Sequence, residues 1–291
     1  MHANHESNHI MKAHWKKCLL FAPVLSLVLL LGACGGAPRT QPISDRGATA
    51  EAMFAERCKK AAEKIYKTVE NVEGIYLMKI RPEAINLKDQ FKLDDPYGSD
   101  IGGDRYIANF LRGFYPPIFP VASGVPPRAG YRYVEAVDAK DGLRYRYTGG
   151  IKEVTHTSSV LVGGDGKTTF KTKDFVVDRV PALGPAPRYA VTFDDLSTRE
   201  ERDYWIAGSS LRVIDLQARE VIAERVGYMM DSAQGSQAGG RSPWLLAANH
   251  ACPGFERSPL WPVPPGRGST AQISQTIDFV EKILKPHPLA K

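Results

Sequence analysis

The chain has 291 residues, of which 43% are hydrophobic and 24% are charged. This composition is typical of a globular protein, and the length suits one large domain or two small ones. The formal net charge of +6 is a mild excess. It favours anionic surfaces only weakly, and we expect no nucleic-acid partner.

A short apolar segment near the amino terminus has the pattern of an export signal. Lys12, Lys16 and Lys17 precede an almost unbroken apolar run over Cys18–Leu31. The run is shorter than the roughly 20 residues that a membrane-spanning helix needs. A basic region, a short apolar core and small residues at its end are typical of a removable signal. Met11 lies directly before the basic cluster, so a start at Met11 would also give an ordinary signal.

The end of this segment, LGAC at 31–34, resembles the lipobox of bacterial lipoproteins. The resemblance implies a signal peptide over residues 1–33, cleavage before Cys34, and acylation of the Cys34 thiol and the new amino terminus. A cysteine is required there because the thiolate is the nucleophile that takes the lipid. In that family a Gly such as Gly35 after the cysteine, rather than an Asp, implies sorting to the outer membrane, and we expect the body to face the periplasm. The alternative is an ordinary secretory signal with an unrelated cysteine.

The cysteine count is consistent with this resemblance. Cysteines occur at positions 18, 34, 58 and 252. If Cys18 leaves with the signal and Cys34 is acylated, Cys58 and Cys252 remain as one pair. An oxidising compartment favours a disulfide between them, which we therefore predict. Two separately buried thiols are the alternative.

The first part of the mature chain predicts a tether, a helix and a long loop. Residues 34–49 are rich in Pro and Gly and predict a flexible tether. Residues 51–70 have apolar side chains at helical spacing and predict an amphipathic helix. A strand is expected over 74–80. Residues 94–130 are rich in Pro and Gly and predict a long loop, interrupted by a short helix at 105–114.

The second half of the chain predicts successive β-hairpins and a final helix. Turn signals such as Asp-Gly separate runs of β-branched and aromatic residues. The predicted strands are 131–137 with 143–149, 151–162 with 167–178, 188–194 alone, and 203–215 with 220–230. A helix is expected over 270–285. We predict an α+β fold in one domain over 50–291: an antiparallel sheet of successive hairpins with amphipathic N-terminal and C-terminal helices packed against it.

Several short motifs resemble reactive or metal sites, but each lacks a required feature. GGDGKTT (163–169) lacks the first glycine of a phosphate-binding loop and is flanked by strands. AGSSL (207–211) lacks the flanking glycines of a nucleophile elbow. His250 and Cys252 have no second pair at zinc spacing, and the acidic stretch 94–104 does not fit a calcium loop. We therefore predict no catalytic residue, no metal and no cofactor.

The first hairpin carries the most interesting candidate for a binding surface. Its tyrosines and arginines alternate, which would put the tyrosines on one face of the sheet and the arginines on the other. Tyrosines can stack on sugars, and arginines can pair with carboxylates or phosphates. The proposed ligand-binding set is Tyr131, Tyr133, Tyr145, Tyr147, Arg132, Arg144 and Arg146. Ordinary cross-strand pairing in a half-buried sheet is the alternative.

These patterns favour a membrane-anchored envelope lipoprotein that acts by binding and is not an enzyme. Its partners would be outer-membrane lipid, through the acyl chains on Cys34, and an envelope protein, a cell-wall glycan or a lipid component as ligand. The alternative is a periplasmic hydrolase that uses Asp194, Asp195 or His156. An enzyme should have a deep pocket with perturbed ionisable groups, and a binding protein should have an anchor patch.

Overall fold

A computed structural model describes residues 43–84, 86–91, 102–113, 130–256 and 268–287. The predicted signal peptide, Cys34 and most of the predicted loop lie outside these ranges. The described helices are α1 (Ile43–Cys58), α2 (Asp104–Leu111), α3 (Arg199–Asp203), α4 (Pro243–Ala247), α5 (Ser269–Gln272) and α6 (Gln275–Ile283). The described strands are β1 (Ala62–Ile65), β2 (Val69–Val72), β3 (Gly74–Leu77), β4 (Tyr133–Val137), β5 (Arg144–Thr157), β6 (Thr169–Pro181), β7 (Tyr189–Asp195), β8 (Ile206–Asp215), β9 (Glu220–Met230), β10 (Ala251–Cys252) and β11 (Leu284–Pro286).

The fold is α+β, as predicted, but the main sheet is mixed and not purely antiparallel. Its strand order is β1-β9-β8-β7-β3-β4-β5-β6, with β10 also paired to β9. Strand β3 lies parallel to both β4 and β7, and the other pairings in this sheet are antiparallel. A strand was expected at β3, but its parallel pairings were not predicted, because parallel neighbours are far apart in sequence and share no turn.

The predicted hairpins are present, and two of them share a strand. β4 pairs with β5, β5 with β6, and β8 with β9. Residues 143–149 and 151–162 were predicted to form two strands, but β5 runs without a break from Arg144 to Thr157. The β5–β6 ribbon is therefore longer than predicted.

The first helix differs from the prediction at both ends. α1 begins at Ile43 and ends at Cys58, so residues 43–49 are helical although they were placed in the tether. Residues 62–70, predicted as the second half of this helix, instead contain β1 and the start of β2. The apolar spacing in this stretch suits either structure, and pairing of β1 along the edge of β9 decides for a strand.

The carboxyl-terminal segment closes over the main core. The predicted helix 270–285 is divided into α5 and α6, and β11 then pairs in parallel with β2. Ile277, Val280 and Ile283 on α6 are buried in the same cluster as the central strands. Tyr131 is also buried there and donates a hydrogen bond to the Leu284 carbonyl at 2.5 Å. In the ranges that the structure covers, no helix is long and apolar enough to cross a bilayer.

The predicted disulfide between Cys58 and Cys252 is confirmed in the structure. It joins the end of α1 to β10, with the two Cα atoms 5.6 Å apart. Both cysteines pack against a small core cluster that includes Phe54 and Tyr228. The bridge therefore fastens the first helix to the far edge of the main sheet, across 194 residues of chain.

We expect the double substitution Cys58→Ala/Cys252→Ala to lower the free energy of unfolding by roughly 2–5 kcal/mol, because a long loop is no longer closed in the unfolded state. Urea unfolding followed by circular dichroism measures the loss. As a control, the unsubstituted protein in reductant should unfold at the same lower midpoint. An unchanged midpoint, or two titratable thiols in the unreduced protein, would contradict the bridge.

Candidate functional site

A cleft of about 720 Å³ lies between the turn after β3, helix α2, the β4–β5 turn and the cleft-side face of the β5–β6 ribbon. It combines charged and apolar groups on a concave surface, which is the usual character of a binding site. Its charged lining residues are Arg81, Asp104, Arg105, Arg112, Asp138, Lys140 and Arg179, and its larger apolar ones are Ile80, Ile107, Tyr147, Phe175 and Val177.

Helix α2 supplies two of the cations because of its amphipathic sequence. Ile107, Phe110 and Leu111 are buried against the sheet. Arg105 and Arg112 are seven residues apart, which is close to two helical turns, so both lie on one side of the helix. Both are exposed and line the cleft.

Arg81 is a cation fixed at the inner end of the cleft. It is only 2% exposed, and its guanidinium lies 4.4 Å from the centroid of the Phe193 ring. The Nε and Nη2 atoms donate to the Thr276 hydroxyl at 3.2 and 2.9 Å. Since its position is held by α6 and β7, Arg81 contributes a charge that does not move away when the exposed cations rotate.

The β4–β5 turn brings Asp138 and Lys140 to the opposite rim, and β6 brings Arg179. Arg179 forms an ion pair with Asp138. The backbone N–H of Lys140 donates to Asp138 at 2.9 Å. This backbone hydrogen bond and the Arg179 guanidinium lower the pKa of Asp138, so its carboxyl stays ionised and partly neutralises Arg179.

Apolar side chains form the wall between these two rims. Phe175 and Val177 lie on the same face of β6, two residues apart, and Tyr147 of β5 is 6% exposed beside them. Burial raises the pKa of the Tyr147 hydroxyl, so the ring stays neutral at physiological pH. The Phe175 ring lies directly over Gly149, where a Cβ would clash with it.

The cleft has more positive than negative charge. Its five cations face two carboxylates, Asp104 and Asp138. No residue within the described ranges forms an ion pair with Arg105, Arg112 or Lys140. An apolar wall beside cations that form no ion pair in the described part of the chain suits a ligand with an anionic group and an apolar or ring-shaped body.

The tyrosine and arginine surface predicted on the first hairpin is arranged differently. Val134 is opposite Tyr147, and Glu135 is opposite Arg146. Opposed residues share a face, so Tyr133 lies with the arginines, and the Arg146 guanidinium is 4.2 Å from its ring centroid. The prediction that the tyrosines share one face was wrong. It assumed a pairing register between β4 and β5 that differs from the observed one.

The two arginines of β5 on this surface already have a counter-charge. Glu135 is fully buried, and Arg146 donates to its Oε1 atom at 2.9 and 2.8 Å. Arg144 is 3.1 Å from the other carboxylate oxygen. Arg132 is exposed, 3.9 Å from Glu73, and Tyr145 donates to Asp141 at 2.7 Å.

Of the seven residues in the predicted set, Tyr147 alone lines the cleft. The cleft arginines and Lys140 were missed because they come from separate segments with no shared motif. One local signal was available in the sequence. Arg105 and Arg112 are placed two turns apart on a helix that the sequence did predict.

The three residues proposed for the hydrolase alternative, Asp194, Asp195 and His156, each pair with a charged side chain. They do not form one cluster. Lys79 and Arg212 both pair with Asp194. Burial acts to raise the pKa of Asp194, but the hydrogen bond and charge of Lys79 outweigh it, and the pKa is lowered. Asp195 is 2.5 Å from Arg202. His156 lies on the distal β5–β6 ribbon, 2.6 Å from Asp174.

Comparisons of the chain with protein-family models, with curated proteins and with solved structures found no match. The geometry and charge of the cleft are therefore the basis on which a function is proposed.

We expect Gly149→Ala to lower the free energy of unfolding by about 1–3 kcal/mol, because the new methyl group must displace the Phe175 ring that forms the cleft wall. Gly150→Ala is the matched control. A Cβ at Gly150 meets no atom within 4 Å, so that change should stay within about 0.5 kcal/mol. Urea midpoints compare the two variants, and equal effects would show that Phe175 does not pack on Gly149.

Proposed function

We propose that this protein is a membrane-anchored envelope lipoprotein that binds an anionic cell-wall or lipid component in the cleft. The observation that carries the ligand class is the set of cations, Arg105, Arg112 and Lys140, with no ion-pair partner in the described chain beside an apolar wall. A ligand with a phosphate or carboxylate group would supply the missing counter-charge.

Electrostatics and apolar contact have different roles in this proposal. Exposed ion pairs each contribute little, about 0.2–1 kcal/mol, so the rim alone would give weak and salt-sensitive binding. Contact of an apolar body with Tyr147, Phe175 and Val177 adds affinity that salt does not screen. Arg81 is fixed in position, and a bound anion would need no reorganisation of it.

Support for the anchor comes from the sequence alone. The LGAC stretch at 31–34 and Gly35 resemble a lipobox with an outer-membrane sorting residue. The disulfide between Cys58 and Cys252 is consistent with an exported protein, because such bonds persist mainly in oxidising compartments. Binding without catalysis is favoured because the carboxylates of the hydrolase alternative are paired with arginine or lysine.

We expect Arg105→Glu/Arg112→Glu to weaken binding of an anionic probe by about tenfold or more, since two favourable charges become unfavourable. Two probes separate the ligand sources: dodecyl phosphate for a lipid component and a soluble muramyl peptide for a cell-wall component. Isothermal titration calorimetry measures the affinity of each, with and without added salt.

The control for this experiment carries the same charge change outside the cleft. Lys60 and Lys67 are exposed and do not line the cleft, so Lys60→Glu/Lys67→Glu should leave the affinity unchanged. If both double variants lose affinity equally, the effect belongs to net charge. If neither probe binds the unsubstituted protein, the cleft is not the proposed ligand site.

We expect Cys34→Ser to abolish acylation and release the protein from the membrane fraction, because serine has no thiol to take the lipid. Mass spectrometry of the amino-terminal peptide detects the acyl chains, and fractionation follows the location. A membrane-bound Cys34→Ser protein without acyl chains would overturn the proposed anchor and leave the ligand measurement unaffected.

A further inference from the structure

The β5–β6 ribbon continues past the cleft as a two-stranded arm. β4 pairs with β5 only over residues 144–147. From residue 148 to residue 157, β6 is the strand partner of β5, and β6 is the end strand of the sheet. In water a two-stranded ribbon of this kind is only marginally stable by itself. Contact between the end of the arm and another surface would therefore stabilise the ribbon.

Two large apolar side chains lie at the tip of this arm. Val160 and Leu161 occupy a short 3₁₀ turn and are 73% and 95% exposed. They are among the most exposed apolar side chains of the described residues. Large apolar groups with such exposure at a projecting point are typical of an interaction site when they are held in place.

The turn that presents these side chains is built by specific hydrogen bonds. Asp165 accepts from the backbone N–H groups of Lys167 and Thr168 at 2.8 and 2.7 Å, and from the hydroxyls of Ser158 and Thr168. These hydrogen bonds place the pKa of Asp165 far below its usual range, so the carboxylate persists at all physiological pH values. The tip is ordered, with its apolar groups directed outward.

Two lysines that form no ion pair among the described residues lie in or near the tip. The segment 152–174 contains four lysines and three carboxylates. Lys152 pairs with Asp178, and Lys171 pairs with Glu153. Asp165 is used by the turn, and Asp174 lies 2.6 Å from His156. Within the ranges that the structure describes, Lys167 and Lys173 form no ion pair. Exposed cations beside exposed apolar side chains suit an anionic membrane surface, where charged headgroups lie above an apolar region.

We propose that the tip of the β5–β6 arm docks on an anionic lipid surface, with Val160 and Leu161 entering the interfacial layer and Lys167 and Lys173 contacting headgroups. The tip is convex and its apolar area is small. A bilayer interface deforms around such a point, whereas a rigid protein partner would need a matching pocket. This contact is independent of acylation at Cys34 and of the ligand in the cleft.

A tryptophan placed at the tip tests the contact. The full-length Leu161→Trp protein is mixed with phosphatidylglycerol vesicles that contain phospholipid brominated on the acyl chains. We expect blue-shifted emission and quenching beyond that of the unsubstituted protein, whose four native tryptophans give the baseline. Leu183→Trp is the matched control, because Leu183 is 87% exposed and lies outside the tip.

Reversing the charges of Lys167 and Lys173 measures the electrostatic contribution to membrane binding. Adding Lys167→Glu/Lys173→Glu to the Leu161→Trp protein should lower the ratio of inserted to free tip roughly tenfold on phosphatidylglycerol. Little insertion is expected for either protein on phosphatidylcholine. Equal quenching at positions 161 and 183, or none at 161, would overturn the proposal, as would insertion that is the same with the lysines reversed.

Discussion

The two halves of the main sheet are held together by β3, a strand of only four residues. On one side it pairs in parallel with β7 and on the other with β4, so it joins the β1-β9-β8-β7 group to the β4-β5-β6 group. Ile75 and Leu77 are fully buried. Gly74 leaves room for the Tyr133 ring, which a side chain at that position would displace. The cleft depends on this junction, because its inner rim follows β3 directly and its outer rim belongs to β4 and β5.

The parts of this fold that sequence reasoning could predict are those set by local chemistry. Hairpins with an Asp-Gly or Gly-rich turn carry their own signal, and so does the amphipathic pattern of α2. The parallel pairings of β3 carry none, because their partners are separated by tens of residues. The stretch 62–72 shows the same limit. Ile65, Val69 and Val72 fit a helical face, but pairing of β1 with β9 and of β2 with β11 makes these residues strands. Tertiary pairing outweighs a local preference of this size.

The candidate site could be predicted less completely, for a reason visible in the first hairpin. Sequence shows that arginines are present but not which carboxylates they meet. Arg144 and Arg146 are taken by Glu135, a buried residue on the neighbouring strand. A buried carboxylate without these partners would be costly, so the two arginines stabilise the sheet. Tyr147, the one predicted residue in the cleft, contributes its buried ring to the wall.

Several arginines elsewhere in the described chain form ion pairs with carboxylates, whereas three cations of the cleft do not. Along the sheet and its turns, arginines meet carboxylates in the pairs Arg188–Asp215, Arg202–Asp195, Arg212–Asp194 and Arg241–Asp231. The sequence has 38 basic and 32 acidic residues, so some cations have no carboxylate available to them. In the described chain Arg179 has a carboxylate partner, whereas Arg105, Arg112 and Lys140 form no ion pair. Repulsion among neighbouring cations opposes folding, and a bound anion would relieve it. Three of these cations line a concave surface with an apolar wall. This is the arrangement that a site for an anionic ligand requires.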